Sequence, residues 1–473
     1  MNLNNLDIIL NNLMNHYYSK WNQPESIGGG KNADYISILG DMDPNILQVT
    51  IISIDNPKKK PIIVSKYMSS KYKSPLNFNS SDNTNTNNPE MVSIQSISKV
   101  FTLGLALKKH SIEFMKNYIG TEQSFAMFNS KDAIKIVPYE ETGIPFTINP
   151  FVNAGAITTT SLITKKSGKE PFEQITDNLK LFGSLKNIKI SKATYQSEMM
   201  DLENNTKLVY LLKLLSMCNK TKKEHCNQAV YKNIQKSQKI SEIRSCIRKK
   251  INKKSCKKIK KSKFISNNKT HRKLGTTPNY FQGTNLSLCP ELALSTYTAQ
   301  CSVLVNSDIL ARMAFPLLNN GINLDGKVIF KDPCIPNYII NTMLFAGMYN
   351  ASGTWFQNCG IPAKSGVGGG IIGIVPNKCV IAVVSPPLDK YGNSYLGTLI
   401  FEYLSKKLGL NILNNCSGKD IPYPGPKSKP KPNIIDENFI GPDIVPVSPI
   451  QLIPNIEKCL HKLKDISKTN IYN

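Results

Sequence analysis

A serine and a lysine three residues apart, Ser96 and Lys99, open the apolar run Ser93-Ile-Gln-Ser-Ile-Ser-Lys-Val-Phe-Thr-Leu-Gly-Leu-Ala-Leu107. Side chains at i and i+3 share one face of a helix, so a hydroxyl and an amine can meet there. Val100, Leu103, Leu105 and Leu107 give the run a helix-compatible buried face. An exposed lysine, with a reference pKa of about 10.4, is an ammonium at neutral pH. Burial against apolar neighbours favours the neutral amine, which can take the serine proton and leave an attacking oxygen. Free N–H groups of the helix's first turn favour the negative charge that develops there. The same spacing recurs at Ser70/Lys73, Ser255/Lys258, Ser266/Lys269 and Ser428/Lys431, in polar or lysine-rich stretches with no apolar helix behind them. The bland reading of Ser96 is a helix-capping serine with a solvated lysine one turn on.

A second piece stands far downstream: Ile361-Pro-Ala-Lys364-Ser365-Gly366-Val367-Gly368-Gly369-Gly370, leading into a β-branched stretch. A Ser-x-x-Lys nucleophile needs an edge strand bearing Lys-Ser/Thr-Gly on the far wall of its cleft. The backbone N–H of that strand and the N–H of the nucleophile can together form an oxyanion hole. Lys166-Ser167-Gly168 repeats the tripeptide without a following strand. An early Ser-x-x-Lys and a late Lys-Ser-Gly point to the serine β-lactamase and penicillin-binding-like fold.

The elements that must position these groups follow from pattern. Gln48–Ile54 and Pro61–Val64 read as a hairpin, and residues 74–90 as a polar surface loop. Helices are predicted over 3–18, 151–163, 172–180, 207–217, 293–303, 306–318, 335–346 and 395–408, with a short piece at 33–39. Strands are predicted over Gly353–Gln357, Ala363–Ser365, Gly370–Val375 and Cys379–Ser385. One early hairpin and several late strands imply an α+β domain: an antiparallel sheet built from both chain ends, flanked by helices, with an all-helical lobe between. The domain expected is 30–414, preceded by a leader over 1–29 and interrupted by a basic insertion over 217–285. A Pro/Lys-rich tail, 415–473, carries a short helix near 454–465.

The chain of 473 residues has a net charge of +26 and is 40% hydrophobic, enough for a sizeable core. Residues 217–273 hold 20 Lys and Arg against Glu224 and Glu242, so +18 of the excess sits in one segment. Its like charges repel, and it is too poor in apolar residues to pack as a core. The 11 cysteines form no CxxC pair in that segment, which argues against a disulfide framework or a zinc site. None of the five histidines adjoins the motifs, which argues against a Ser-His-Asp mechanism. No apolar run reaches membrane-spanning length, and the first 30 residues lack the marks of a targeting peptide. A cytoplasmic protein with reduced thiols is the expectation.

Between the two tags, polar motifs fall in one order. They are Gln95-Ser96-Ile-Ser-Lys99, Asn149-Pro-x-x-Asn153-Ala-Gly-Ala156, Gln196-Ser-Glu198, Tyr297-x-x-x-Cys301-Ser302, Gly347-Met-Tyr349 and Pro362-Ala-Lys-Ser-Gly-Val367. Ser385-Pro-Pro-Leu-Asp389 and Gly392-Asn-Ser394 complete the series. This series, over about 30–410, resembles the serine-dependent glutaminase family. The resemblance implies hydrolysis of L-glutamine to L-glutamate and ammonia, with no cofactor or metal and a homodimeric or homotetrameric assembly. It implies Ser96 as nucleophile, Lys99 as general base and Tyr349 as an aid to proton transfer. It implies an oxyanion hole from the N–H groups of Ser96 and Val367. Substrate contacts are implied for Tyr35, Ser96, Asn153, Glu198, Asn205, Tyr297, Tyr349 and Val367. The residue types fit unaided: Glu198 opposes an α-ammonium, while amides and phenols offer neutral donors to a carboxylate and a carboxamide. There are departures from the family pattern: Gly120-Thr-Glu-Gln-Ser-Phe125 replaces its Glu-Pro-Ser-Gly turn, and Asn204 stands where a basic residue is common.

Two other readings stand beside this one. A β-lactam-handling or peptidase member of the same fold would share Ser96, Lys99 and Lys364 but need no amino-acid pocket. Weak polyanion binding through Lys220–Lys273 would be salt-sensitive and non-specific, since few aromatics interleave the lysines.

Overall fold

A computed structural model describes residues 3–21, 30–54, 60–78, 89–124, 127–130, 133–136, 145–163, 170–200, 204–206, 208–209, 212 and 290–413. The basic insertion and the chain from 414 lie outside the described residues. So do the expected helix near 454–465 and most of that over 207–217.

A six-stranded antiparallel sheet forms the centre. Strands β1 (Leu47–Ser53), β2 (Ile62–Met68) and β3 (Leu76–Asn77) come early in the chain. Strands β9 (Ala363–Gly366), β10 (Gly370–Val375) and β11 (Cys379–Val384) come late. The spatial order is β3-β2-β1-β11-β10-β9, so the two ends of the domain join at β1 and β11, with Ile51 opposite Ile381. Both faces of β11 are covered. Val380, Ala382 and Val384 pack into one core and Cys379, Ile381 and Val383 into the other, the alternation a pleat imposes.

Helices α1 (Leu3–Trp21), α11 (Ser352–Cys359) and α12 (Tyr395–Leu408) contribute Leu10, Trp355 and Phe401 to one face's core. On the other face, α9 (Ser307–Leu318) packs on the sheet and leads to the helical lobe, where α3 (Ser98–Lys109), α6 (Pro171–Gly183) and α10 (Cys334–Ala346) share its core. A third cluster joins α5 (Asn153–Leu162) to α8 (Pro290–Cys301) through Ile157, Leu208 and Tyr297. The short helices are α2 (Ser37–Gly40), α4 (Ile112–Lys116) and α7 (Lys192–Met200). Two small sheets complete the described fold. One orders β4 (Val92–Ser93), β8 (Val303–Val305) and β7 (Lys189–Ile190); the other pairs β5 (Ile134–Ile136) with β6 (Pro145–Thr147). This is the expected α+β class, a serine β-lactamase-like arrangement of sheet and helical lobe.

Two local expectations differ from what is found. The predicted strand Gly353–Gln357 is helix α11, closed by Gly360 in the left-handed region and tied down by Trp355 Nε1 donating to Ile361 O at 2.7 Å. Its aromatic, β-branched composition favours a strand locally, but packing of Trp355 on Phe401 decides otherwise. The leader, in turn, holds a helix that belongs to the core: Leu6, Leu10, Leu13, Met14 and Tyr17 are buried against the sheet.

Candidate active site

Ser96 lies on a single 3-10 turn, Gln95–Ile97, that runs straight into α3. Gln95 is held at a φ of +51°, uncommon for a residue with a side chain. Ser98 Oγ donates to Gln95 O at 2.7 Å and helps fix this bend. Lys99 is 1% exposed. Its amine donates to Phe151 O at 3.1 Å and to Asn153 Oδ1 at 2.7 Å. Burial, the main cause, pulls the Lys99 pKa down to about 8. The bonds of the amine thus go to the head of α5. The Ser96 hydroxyl neighbours that of Tyr349 and acts to lower its proton affinity.

The Asn149-Pro-x-x-Asn153-x-Gly spacing explains how α5 presents those oxygens. Asn149 Oδ1 accepts from Phe151 N at 2.9 Å and Val152 N at 3.1 Å, folding the chain ahead of the helix. A Cβ on Gly155 would lie 1.9 Å from Asn149 O, so only glycine admits this turn. Asn153 Oδ1 then receives Lys99 and also Tyr297 OH at 2.8 Å. Its Nδ2 donates to Asn205 Oδ1 at 2.8 Å. That pairing fixes the Asn205 amide with its own NH₂ free to meet a ligand's acceptor.

Glu198, on α7, accepts from Gln95 Nε2 at 2.7 Å, which ties the carboxylate to the residue preceding Ser96. Burial raises the Glu198 pKa to about 7, against the opposing effects of Gln95 and Lys99. Tyr35 is 58% exposed as a residue, and the partial desolvation of its hydroxyl, helped by the charge of Glu198, pushes it up to about 12. Tyr297 and Tyr349 are raised by burial, and the neighbouring Ser96 hydroxyl works the other way on Tyr349. Tyr349 has a φ of +52°, its hydroxyl approaches Ser365 O at 3.4 Å, and its ring packs on Phe128 with centroids 5.2 Å apart. Val367 follows β9. A Cβ on Gly368 would lie 2.1 Å from Ser93 O, so this strand end presses directly on the segment that carries Ser96.

Tyr35, Ser96, Asn153, Glu198, Asn205, Tyr297 and Val367 line one cavity of about 150 Å³. Lys99, bonded to Asn153, and Tyr349, a neighbour of Ser96, stand behind its wall. Two larger cavities, of about 560 Å³ each, hold none of these residues. The sequence reading assigned no role to Gln95, Phe128, Asn129, Ser197, Asn204 or Cys301, which line the cavity too. Gln95, Ser197 and Cys301 stood within quoted motifs, so a signal existed. Phe128 and Asn129 lie on a loop without periodicity and carried none. Among the described residues, no cluster of His, Cys, Asp and Glu could hold a metal ion.

A family model described as Glutaminase matches residues 80–228 and 225–413. The glutaminase of Trichormus variabilis is 28% identical over 401 residues, covering 85% of this chain and 89% of its own. That of Alkaliphilus oremlandii is 32% identical over 322 residues, covering 67% and 81%. Glutaminase 1 of Escherichia coli O157:H7 is 28% identical over 394 residues, covering 83% and 94%. The solved structure of the probable glutaminase ybaS superimposes with a TM-score of 0.57 at 26% identity, covering 85% of this chain and 98% of that one. A probable glutaminase from Bacillus subtilis, complexed with 6-diazo-5-oxo-L-norleucine, shares the fold with a TM-score of 0.56 at 21% identity, covering 86% and 97%. The family model covers well over half of the chain and takes in every residue lining the cavity around Ser96 except Tyr35 and Ile36, and this chain belongs to the glutaminase family.

Proposed function

We propose that this chain hydrolyses L-glutamine to L-glutamate and ammonia through a γ-glutamyl ester on Ser96. The observation that carries the reading is that Ser96 and Glu198 line one small cavity, joined through Gln95. A hydroxyl nucleophile and a fixed anion are thereby set a short side chain apart, as a free amino acid with a terminal carboxamide requires. Glu198 receives the α-ammonium, and the amides of Asn153 and Asn205 with the Tyr297 and Tyr35 phenols meet the remaining polar groups. A zwitterion taken from water needs all of them met.

Lys99 acts as general base. A neutral amine has two N–H groups and one lone pair. Both N–H groups are engaged, on Phe151 O and Asn153 Oδ1, which leaves the lone pair to take a proton. Ser96 Oγ attacks the amide carbon while its proton passes to Lys99, directly or through the neighbouring Tyr349 hydroxyl. The N–H groups of Ser96 and Val367 hold the oxyanion. The C–N bond breaks, Lys99 or Tyr349 protonates the departing nitrogen, and ammonia leaves. Water then cleaves the ester to give glutamate and restore Ser96. The test is ammonia release from glutamine by the purified chain beside Ser96→Ala. Turnover in the first and a loss of at least ~10³-fold in the second are expected. Full turnover by the variant, or none by the parent chain, sinks the reading. Competition by L-glutamate separates it from the β-lactam alternative, which needs no amino-acid pocket.

The charge of residues 217–273 favours a second, compatible property, salt-sensitive binding to polyanions. Deleting 220–273 should abolish retention on a polyanion column at graded salt. Unchanged retention disposes of it. The same reading carries a cytoplasmic location, checked by cell fractionation, and a homodimer or homotetramer, checked by sedimentation of the purified chain.

A further inference from the structure

Lys364 takes no part in the reaction as written above, yet its side chain is fully buried beside the reacting groups. Its amine donates to Ser365 O at 2.6 Å. The rings of Tyr349 and Phe151 flank it, with Nζ 4.6 and 5.7 Å from their centroids. Phe151 is also the residue whose carbonyl holds Lys99. Among the described residues no carboxylate pairs with Lys364. Lys66, nearly as buried on β2, makes the contrast, since Asp7 answers its charge at 2.8 Å. An ammonium at Lys364 would be desolvated, and further N–H groups would compete for the single acceptor it has. Burial, and after it the neighbouring Lys99, push the Lys364 pKa well down.

The Ser365 carbonyl links this amine to the site. Tyr349 OH approaches the same oxygen at 3.4 Å. The Ser365 N–H bonds Gly347 O at 3.1 Å, two residues ahead of Tyr349. We propose that Lys364 is a positioning residue: its side chain packs on the Tyr349 ring and anchors the Ser365 carbonyl that the phenol hydroxyl approaches, keeping that hydroxyl beside Ser96. The proposal rests on the roles given above to Ser96 and Tyr349. An amine suits the position because it supplies an N–H to the carbonyl. A hydrocarbon of the same length would fill the space and leave the carbonyl with the long tyrosine contact alone.

The test is a double-mutant cycle on the full chain, with Lys364→Met made in the native and Tyr349→Phe backgrounds and ammonia release as the readout. In the native background kcat should fall ~10- to 100-fold with KM for glutamine within ~3-fold. In the Tyr349→Phe background the same change should alter kcat by less than ~3-fold, because the hydroxyl it positions is gone. Equal losses in both backgrounds, or a loss confined to KM, overturn the proposal. Lys364→Gln keeps an uncharged N–H donor and guards against a Met variant that fails to fold. It should hold kcat within ~5-fold of the parent and leave the rising limb of the pH profile in place. A Gln variant as impaired as the Met variant, or a limb displaced by about one pH unit, also overturns it. A parent chain that releases no ammonia removes the functional reading, and this inference with it. An active parent beside a fully active Lys364→Met variant removes this inference alone.

Discussion

At the scale of residues, the proposed mechanism makes two ionisable groups, the buried Lys99 and the part-buried Glu198, set the pH behaviour of the site. Lys99, near 8, must be neutral to accept a proton, so only about a tenth is competent at pH 7 and half at pH 8. Glu198, near 7, must be ionised to hold an ammonium. Both requirements are met by raising pH, so kcat/KM should climb steeply from pH 6 to about 8.5, with kcat alone following Lys99. A flat profile over that range would contradict the assignment. Glu198 also makes a stability prediction. Its folded pKa lies above the unfolded value of about 4.3, so the folded state is favoured while the group is protonated and loses that advantage as pH rises through 7. Glu198→Gln should therefore raise stability by ~1–3 kcal/mol at pH 8, an advantage that fades below about pH 5, while abolishing turnover. Chemical denaturation at the two pH values measures it; a variant less stable at pH 8 would show that the carboxylate is not buried at a cost.

At the scale of elements, the catalytic groups are placed by the joints between elements. The α10–Tyr349 joint runs through Gly347, where a Cβ would lie 1.6 Å from Ala363 O on β9. That contact lets the end of α10 lie flat on the edge strand and delivers Tyr349 beside Ser365. Gly347→Ala must separate the two, at a cost above ~3 kcal/mol or a collapse of kcat in whatever folds. Melting and ammonia release together check it, and a variant with normal values of both would refute the account. Much of this scale was legible in the chain. Gly370–Val375 and Cys379–Ser385 read as strands and Tyr395–Leu408 as a helix, and the structure departs from these bounds only in ending the second strand at Val384. Gly353–Gln357 misled because its local preference conflicts with its tertiary partners. The two-residue strands β4 and β7 carry no periodic signal and were missed for that reason.

At the scale of the whole molecule, the sheet closes the start of the domain onto its end, where β1 pairs with β11, and α1 packs over β2 beside that seam. Leu10, fully buried in that helix, should cost ~2–5 kcal/mol when cut to Ala, read as a shifted denaturation midpoint. Activity of the folded fraction should hold, because α1 lies on the face of the sheet away from Ser96. A change below ~0.5 kcal/mol would mark the helix as the dispensable leader its position in the chain suggested.

By itself the sequence determined the chemistry that is available. Ser96 and Lys99 are near neighbours on one helical turn, and a short-range spacing of that kind survives without any knowledge of the rest. Motif order went further and pointed to the family, since eight ordered motifs constrain far more than one. Only the tertiary structure decided which oxygens hold the Lys99 amine, that Gln95 bridges to Glu198, and that Lys364 sits against Tyr349. The partners of Lys99 and Gln95 lie 52 to 103 positions away in the chain, and burial, the quantity that moves their proton affinities, exists only once the chain has packed.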